Sequence, residues 1–399
     1  MRAILSLLVL LAAAPAALAQ LPPVVRVGVL TDMSGPFADQ VGQGSVVAAQ
    51  MAAEDFAATN PGFRVEIVFA DHQNKPDVGS SIARRWVDTD GVQAIVDLPN
   101  SGVGLAVIQV MKERNRTALA SSTASSAVTG AACAPTTVQW TSDTWAQGNA
   151  VARAVMAQGG NAWYYLTVDY ALGQALEADT SAAVTRLGGR NVGSARHPLN
   201  TGDMSALLVR AQSSGANVLA LANTGTDAIN AIKQANEFGL LRGNRMRIAA
   251  TFLQISDVHA LGLQVAQGLL LAEPFYWDTN AATRAWSARW GARMGDRRPT
   301  FNHAGVYSAT MAWLQSVKAS GSIEGERVVA QMRQGVFHDP LFGDVTVRPD
   351  GRAVHEMHVF RVKSPAESHG PYDYYQRIAT IAPADAFRPL GEGGCPLVR

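Results

Sequence analysis

The sequence predicts an α/β protein made of two doubly wound parallel-sheet domains. Three observations predict it. Apolar runs of strand length alternate with amphipathic stretches of helix length, the pattern of parallel strands covered by helices on both faces. That alternation runs through twice, before and after Trp140-Thr141-Ser142-Asp143-Thr144. Removing a leader of 19 residues from the 399 leaves 380, which at roughly 150 residues per domain makes two cores.

The leader opens on Arg2, continues through the uninterrupted apolar run Leu7 to Ala14, and ends in Ala17-Leu18-Ala19, small residues at both positions that a signal peptidase reads. The apolar run stops at Pro15, short of the roughly 20 residues a spanning helix needs. Export with cleavage after Ala19 is therefore expected.

The first round begins with the apolar strand Val24 to Leu30 and the loop Ser34-Gly35-Pro36. A helical pattern follows, with Val46, Ala49, Ala53, Phe56 and Ala57 on one face and Gln50 and Glu54 on the other, and Pro61-Gly62 stops it. Val65 to Ala70 is the second strand, and Val78, Ile82 and Trp86 mark the next helix face. Ala94 to Val96, a helix over Val103 to Met111, and a fourth strand over Thr117 to Ala120 complete the round. The second round has strands at Trp163 to Val168, Val192 to Arg196, Val218 to Ala222 and Arg247 to Thr251, with helices over Ala171 to Arg186, Met204 to Ser213 and Asp227 to Phe238. Beyond Glu273-Pro274-Phe275-Tyr276-Trp277 come three helical patterns, near Ala281 to Met294, Ala304 to Ala319 and Glu324 to Arg333. The period then changes to two around Asp344 to Val347 and His355 to Val362, with Pro349-Asp350-Gly351 as the hairpin turn between them. Late helices and a late hairpin fit a chain that returns to its first domain and then to its second.

Composition narrows the function. Arg2 is the only charge in the leader, so the formal net charge falls from +1 to 0 on its removal. With no Lys/Arg run there is no basic footprint for nucleic acid or an acidic membrane surface. Cys133 and Cys395, in a chain bound for an oxidising compartment, fit one disulfide that ties down the Gly391-Glu392-Gly393-Gly394 segment; two unpaired thiols are the alternative. Gly42-Gln43-Gly44 lacks the third glycine of a dinucleotide loop. His355-Glu356-Met357-His358 is one residue short of a metalloprotease motif and lies in a strand pattern, where its histidines face opposite sides. No catalytic, cofactor or metal site is expected.

Ligands of open parallel sheets collect at the carboxyl ends of the strands, where helix N-termini attract anions. The loops there are Leu98-Pro99-Asn100-Ser101-Gly102 and the hydroxyl-rich Ser121-Ser122-Thr123-Ala124-Ser125-Ser126. Capping accounts for any one of these residues; the cluster together points to carboxylate binding. The second-round equivalents are Asp169-Tyr170, Asn223-Thr224-Gly225-Thr226 and Phe252-Leu253-Gln254, with Tyr170 a lid candidate. Phe275-Tyr276-Trp277 either lines a cleft or packs a hinge.

Five pieces in order make the chain resemble the branched-chain-amino-acid type of periplasmic binding proteins and their aromatic-acid-binding members. They are Val27-Gly28-Val29-Leu30-Thr31-Asp32-Met33-Ser34-Gly35-Pro36, Ala70-Asp71, Val128-Thr129-Gly130, Asp169-Tyr170-Ala171-Leu172-Gly173 and Asn200-Thr201-Gly202-Asp203-Met204-Ser205. The resemblance runs from about Val25 to the final hairpin. It implies the type I periplasmic fold, with two lobes joined by three hinge crossings: 24–143 plus 275–343, and 144–274 plus 344–390. It also implies a monomeric periplasmic solute-binding component of an ABC importer, with a small molecule and the membrane permease subunits as partners. The positions matching the family's carboxylate grip are Ser101, Ser122, Thr123 and Ser125, with Asn100 of the same loop a further ligand-binding candidate, and those of the second lobe are Tyr170, Asn223 and Thr224.

Amino-acid binders of the family place an acidic side chain after the next strand to pair the ligand ammonium; this sequence reads Phe252-Leu253-Gln254 there. An unpaired, desolvated ammonium is costly. Either Asp257 or Asp227 substitutes, or the ligand has no ammonium. The second reading gives a hydrophobic or aromatic carboxylate, with Phe252, Phe37 and Tyr276 against its ring. The same cleft would also serve a branched-chain or other amino acid, an amide or urea, or a ligand sensor.

Overall fold

The computed structural model describes residues 21–398 apart from 242, 244 and 245; the leader and its cleavage point lie outside the described residues. The first sheet has the order β2-β1-β3-β4-β5 and is parallel throughout. Its strands are β1 Val25–Thr31, β2 Val65–Asp71, β3 Ala94–Asp97, β4 Thr117–Ala120 and β5 Thr137–Gln139. Helices α1 Gly42–Thr59, α2 Pro76–Asp88 and α3 Ser101–Glu113 connect them. Pro76 begins α2, where a missing N–H costs nothing. Gly28 of β1 is required where Trp86 of α2 lies on the sheet, since a Cβ there would sit 2.4 Å from the indole.

The second sheet has the order β15-β14-β10-β9-β8-β6-β7. It contains β6 Ala162–Val168, β7 Arg190–His197, β8 Val218–Ala222, β9 Arg247–Ala250 and β10 Leu270–Glu273, and β14 Met357–Val362 and β15 Tyr375–Ile381 join antiparallel. Helices α4 Thr144–Ala157, α5 Ala171–Arg186, α6 Ser205–Ser213, α7 Gly225–Glu237, α8 Ile255–Leu261 and α9 Leu263–Ala266 belong with it.

The late helices α10 Ala281–Ala292, α11 Phe301–Ser320 and α12 Gly325–Met332 return to the first lobe. Trp290 and Trp313 share the core of β1 and α1. Hydrogen bonds fix that return: Trp290 Nε1 donates to Gly44 O at 3.0 Å and Trp140 Nε1 to Ser308 Oγ at 2.7 Å. A three-stranded sheet, β11 Phe337–Asp339, β12 Gly343–Val347 and β13 Ala353–Val354, follows.

The hairpin differs from the sequence expectation. β12 turns through Pro349-Asp350-Gly351 onto the short β13, pairing Thr346 with Val354, rather than onto β14. Val345, Val347 and Ala353 are buried in the first lobe's core, so the stretch expected to enter the second lobe at 344 stays with the first until β14. The apolar alternation of His355 to Val362 serves the second sheet instead, against β10 and β15. The chain thus crosses between lobes three times, between β5 and α4, between β10 and α10, and between β13 and β14. His355 and His358 are buried and bound to Trp140 O and Thr380 Oγ1, and no group of three metal-ligating side chains occurs among the described residues.

After β15 the helix α13 Pro383–Ala386 packs on the second-lobe core, yet the tail beyond it is fastened to the first lobe. Arg388 donates to Ser126 O at 2.9 Å, and Cys133 and Cys395 are bridged with Cα atoms 5.7 Å apart. The bridge spans 262 residues of chain. Restraint of so long a loop in the unfolded chain predicts that the double variant Cys133→Ser/Cys395→Ser loses about 2–4 kcal/mol, read as a lower denaturation midpoint that reductant does not lower further.

Candidate functional site

The carboxyl ends of both sheets face one another across the seam between the lobes. In the first lobe, β3 ends with Asp97 and Leu98 at φ 83° and 62°, a left-handed conformation that costs a side chain such as leucine about 1–3 kcal/mol. Three hydrogen bonds hold it: Leu98 N donates to Leu30 O at 3.0 Å, Ser122 N to Asp97 O at 2.9 Å, and Asp97 N to Ser121 Oγ at 3.2 Å. The turn aims the Asp97 carboxyl inward. Burial pushes it up to about 6, against the hydrogen bond from Ser122.

The predicted hydroxyls do gather here, but most are engaged in stitching β3 to β4. Ser122 Oγ donates to Asp97 Oδ1, Thr123 Oγ1 donates to Leu98 O at 2.6 Å, and Ser101 Oγ accepts from Ser125 N at 3.2 Å. Ser125 Oγ caps a short 3-10 turn by accepting from Ala127 N, and Asn100 caps α3 by accepting from Gly102 N and Val103 N. Gln139 adds two more bonds from Nε2, to Thr123 O and Ser125 O. The loop is therefore a rigid cradle whose side chains largely hold its own backbone.

Across the seam, Tyr170 opens α5 with its hydroxyl fully buried and making no hydrogen bond among the described residues. Burial, then the negative charges of Asp227 and Asp32, hold that hydroxyl firmly protonated. Asn223 shares its Nδ2 with His197 Nε2 at 3.0 Å and leaves Oδ1 without a partner, while Thr224 Oγ1 accepts from Gln40 Nε2 at 3.0 Å. Phe252 packs edge-on against Phe301 with ring centroids 5.8 Å apart, and Phe37 lies against Gly225. Tyr276 belongs elsewhere: its hydroxyl donates to Tyr372 O at 2.9 Å, and its ring packs with Phe360 and Tyr375 in the second lobe's core.

Burying a polar atom without a partner costs about 1–3 kcal/mol, so such atoms are candidates to meet a ligand where they gather at one place. At the strand ends they are Ser45 Oγ, Asp97 Oδ2, Tyr170 Oη, Asn223 Oδ1 and both amide atoms of Gln254. Two loop sets, one from each lobe, thus carry unpartnered polar atoms at the strand ends. The family model described as periplasmic binding protein matches residues 24–369.

The chain belongs to the periplasmic binding protein family.

A periplasmic binding protein from Burkholderia mallei is 40% identical, with a TM-score of 0.91 over 94% of this chain and 99% of the other. A branched chain amino acid ABC transporter periplasmic ligand-binding protein from Burkholderia xenovorans is 38% identical, with a TM-score of 0.82 over 94% and 99%. The fold is also shared, at 17% identity and a TM-score of 0.80 over 94% and 99%, by an ABC transporter solute binding protein of R. palustris in complex with benzoate. This periplasmic binding protein is thus a ligand-binding component of an ABC transporter, and its homologues and fold are those of substrate-binding proteins rather than enzymes. Its fold is the type I periplasmic fold of two parallel-sheet lobes.

Two residues that shape the seam, Asp32 and Gln40, are not among the expected site residues. Asp32 accepts from Gly35 N at 2.7 Å, Phe37 N at 3.0 Å and Asn74 Nδ2 at 2.9 Å, and so sets the β1–α1 loop that presents Phe37 and Gln40. Gln40 reaches over to Asp257, which burial pushes up to about 7. No periodicity announces Gln40, because it lies in an irregular loop. Asp257, an acid three residues after Gln254 at a helix start, accepts from Gln254 N at 2.9 Å.

Proposed function

We propose that this protein captures a small hydrophobic or aromatic carboxylate between its lobes and delivers it to the membrane permease subunits of its transporter, acting as a monomer in the periplasm after cleavage at Ala19. The observation that carries this reading is the engagement of the acids nearest the seam. Asp32 is saturated by the β1–α1 loop, Asp227 accepts from Asn200 N and Thr201 N, and Asp257 accepts from Gln40 Nε2 and Gln254 N. Each of these carboxylates already meets protein donors, which lowers what a ligand ammonium gains there. Asp97 accepts from Ser122 Oγ, keeps Oδ2 unpartnered, and is pushed by burial up to about 6. A ligand carboxylate beside it raises it further, so that its O–H donates to the ligand.

Ser122, Thr123, Ser125, Ser101 and Asn100 then act chiefly by holding the cradle, with Ser45, Tyr170, Asn223 and Gln254 offering the free polar atoms. Phe37 and Phe252 supply the apolar wall. A thermal-shift panel tests the cargo class: 4-hydroxybenzoate or benzoate is expected to raise the melting temperature, and leucine and valine are not. Stabilisation by leucine or valine alone would overturn the carboxylate reading in favour of a branched-chain amino acid.

A further inference from the structure

Gln40 is 3% exposed on the β1–α1 loop of the first lobe, and its backbone is pinned on both sides. Its N–H donates to Phe37 O at 2.9 Å, and its carbonyl accepts from Thr300 Oγ1 at 2.8 Å. With the loop so held, the amide points across the seam. Nε2 donates to Thr224 Oγ1 at 3.0 Å and to the two carboxylate oxygens of Asp257 at 3.0 and 2.8 Å. Both acceptors stand on the second lobe, at the starts of α7 and α8.

The approach is reinforced next door. Gly225, at φ 60°, lies so near Pro36 that a Cβ would sit 2.6 Å from its carbonyl oxygen, and Thr226 Oγ1 donates to that oxygen at 3.5 Å. All of these contacts are made by the protein with itself and require the lobes to be together. The bonds to Asp257 lie removed from water and are of the stronger kind above about pH 7, where its carboxyl is ionised.

We propose that Gln40, Thr224 and Asp257 form a latch that holds the lobes closed independently of cargo, with the Asp257 carboxylate reserved for the Gln40 amide. A ligand shifts a conformational equilibrium only by its differential affinity for the two states, and apparent affinity is reduced by the fraction of protein that is not competent. A latch that populates the closed state beforehand reduces that loss. It also means that cargo enters through transient opening, so the latch slows association while it tightens binding. None of this depends on which cargo the cleft accepts.

Small-angle X-ray scattering at pH 8, where Asp257 is ionised, tests the latch on protein purified from the periplasm and freed of cargo by unfolding and refolding. The wild type is expected to scatter as the closed form. In Gln40→Ala the closed-to-open ratio falls by about 10- to 100-fold, the range for hydrogen bonds to a charged group, and the radius of gyration rises. Gln40→Glu, which keeps the side chain's size but sets a carboxylate against Asp257, is expected to open as well, and circular dichroism melts establish that each variant is folded. A cargo-free wild type that scatters as an open form would sink the proposal, as would folded Gln40 variants that both stay as compact as the wild type. The cargo panel above can fail without touching these readings, because no ligand is present.

Discussion

Arg352→Ala is expected to destabilise the protein by about 3–5 kcal/mol, the range for breaking one side of a buried ion pair. Arg352 is fully buried, and so, within 2%, is its partner Asp143 at 3.3 Å. Its guanidinium also donates from Nη2 to Gln139 O at 2.6 Å and to Thr141 O, and from Nε to Ala353 O at 3.0 Å. The ring of Phe387 lies 4.8 Å from its centre. Burial lowers the guanidinium only to about 10, so it stays charged at neutral pH.

These partners lie on two of the three hinge crossings and on the C-terminal tail. Gln139, Thr141 and Asp143 lead into α4, where Asp143 also caps the helix by accepting from Ala146 N at 2.9 Å, and Arg352 itself precedes the crossing into β14. Alanine leaves three acceptors and a buried carboxylate without their donor. The double variant Arg352→Met/Asp143→Asn removes both charges, and because the isolated carboxylate dominates the loss, it is expected to recover a large part of it. Urea denaturation of the three proteins measures both effects. Equal losses in the single and double variants would place the energy in the carbonyl contacts rather than in the ion pair.

The sequence makes the first lobe more legible than the second, for physical reasons. Trp86 and Val103 fall at helical spacing within their segments because α2 and α3 each bury one face, whereas α4 buries Ala146 to Ala152 without interruption and shows no face to count. β15 escapes for the opposite reason, being exposed at most positions on a sheet edge. The hairpin misleads because Met357 to Val362 alternates as a hairpin arm would, and only the register against β10 and β15 shows where it pairs. In the cleft, a cluster of hydroxyls is visible in sequence, but not whether each serves a ligand or the neighbouring backbone. Ser122 and Thr123 donate theirs to residues 25 positions away. The latch is less visible still. Gln40 meets Thr224 and Asp257 at separations of 184 and 217 residues, and no local pattern encodes such a meeting.

The second large effect is on pH dependence, and Asp257 is its source. Burial pushes its carboxyl from 3.8 to about 7, with the negative charge of Asp39 acting in the same direction and the donors Gln254 N–H and Gln40 opposing it; Glu273 is its other acidic neighbour. In the unfolded chain it titrates near its ordinary value. Between about pH 4 and 7 the folded protein therefore keeps a proton that the unfolded chain has released, and stability falls as pH rises through this window. The gap from 3.8 to about 7, at 1.36 kcal/mol per pH unit, corresponds to about 4 kcal/mol, present in full below pH 4 and lost above pH 7. The variant Asp257→Asn has no carboxyl to titrate at this position, so it is expected to gain on the wild type steadily as pH rises from 4 to 7. The buried histidines His72, His303, His355 and His358, lowered to about 4, 3, 4 and 4, push stability the other way with pH. Both proteins share them, so their effect cancels in the difference. Denaturation midpoints of the two proteins measured at several pH values give that difference directly. A stability difference that does not change with pH would mean that Asp257 keeps an ordinary carboxylate in the folded protein and that the seam is wet.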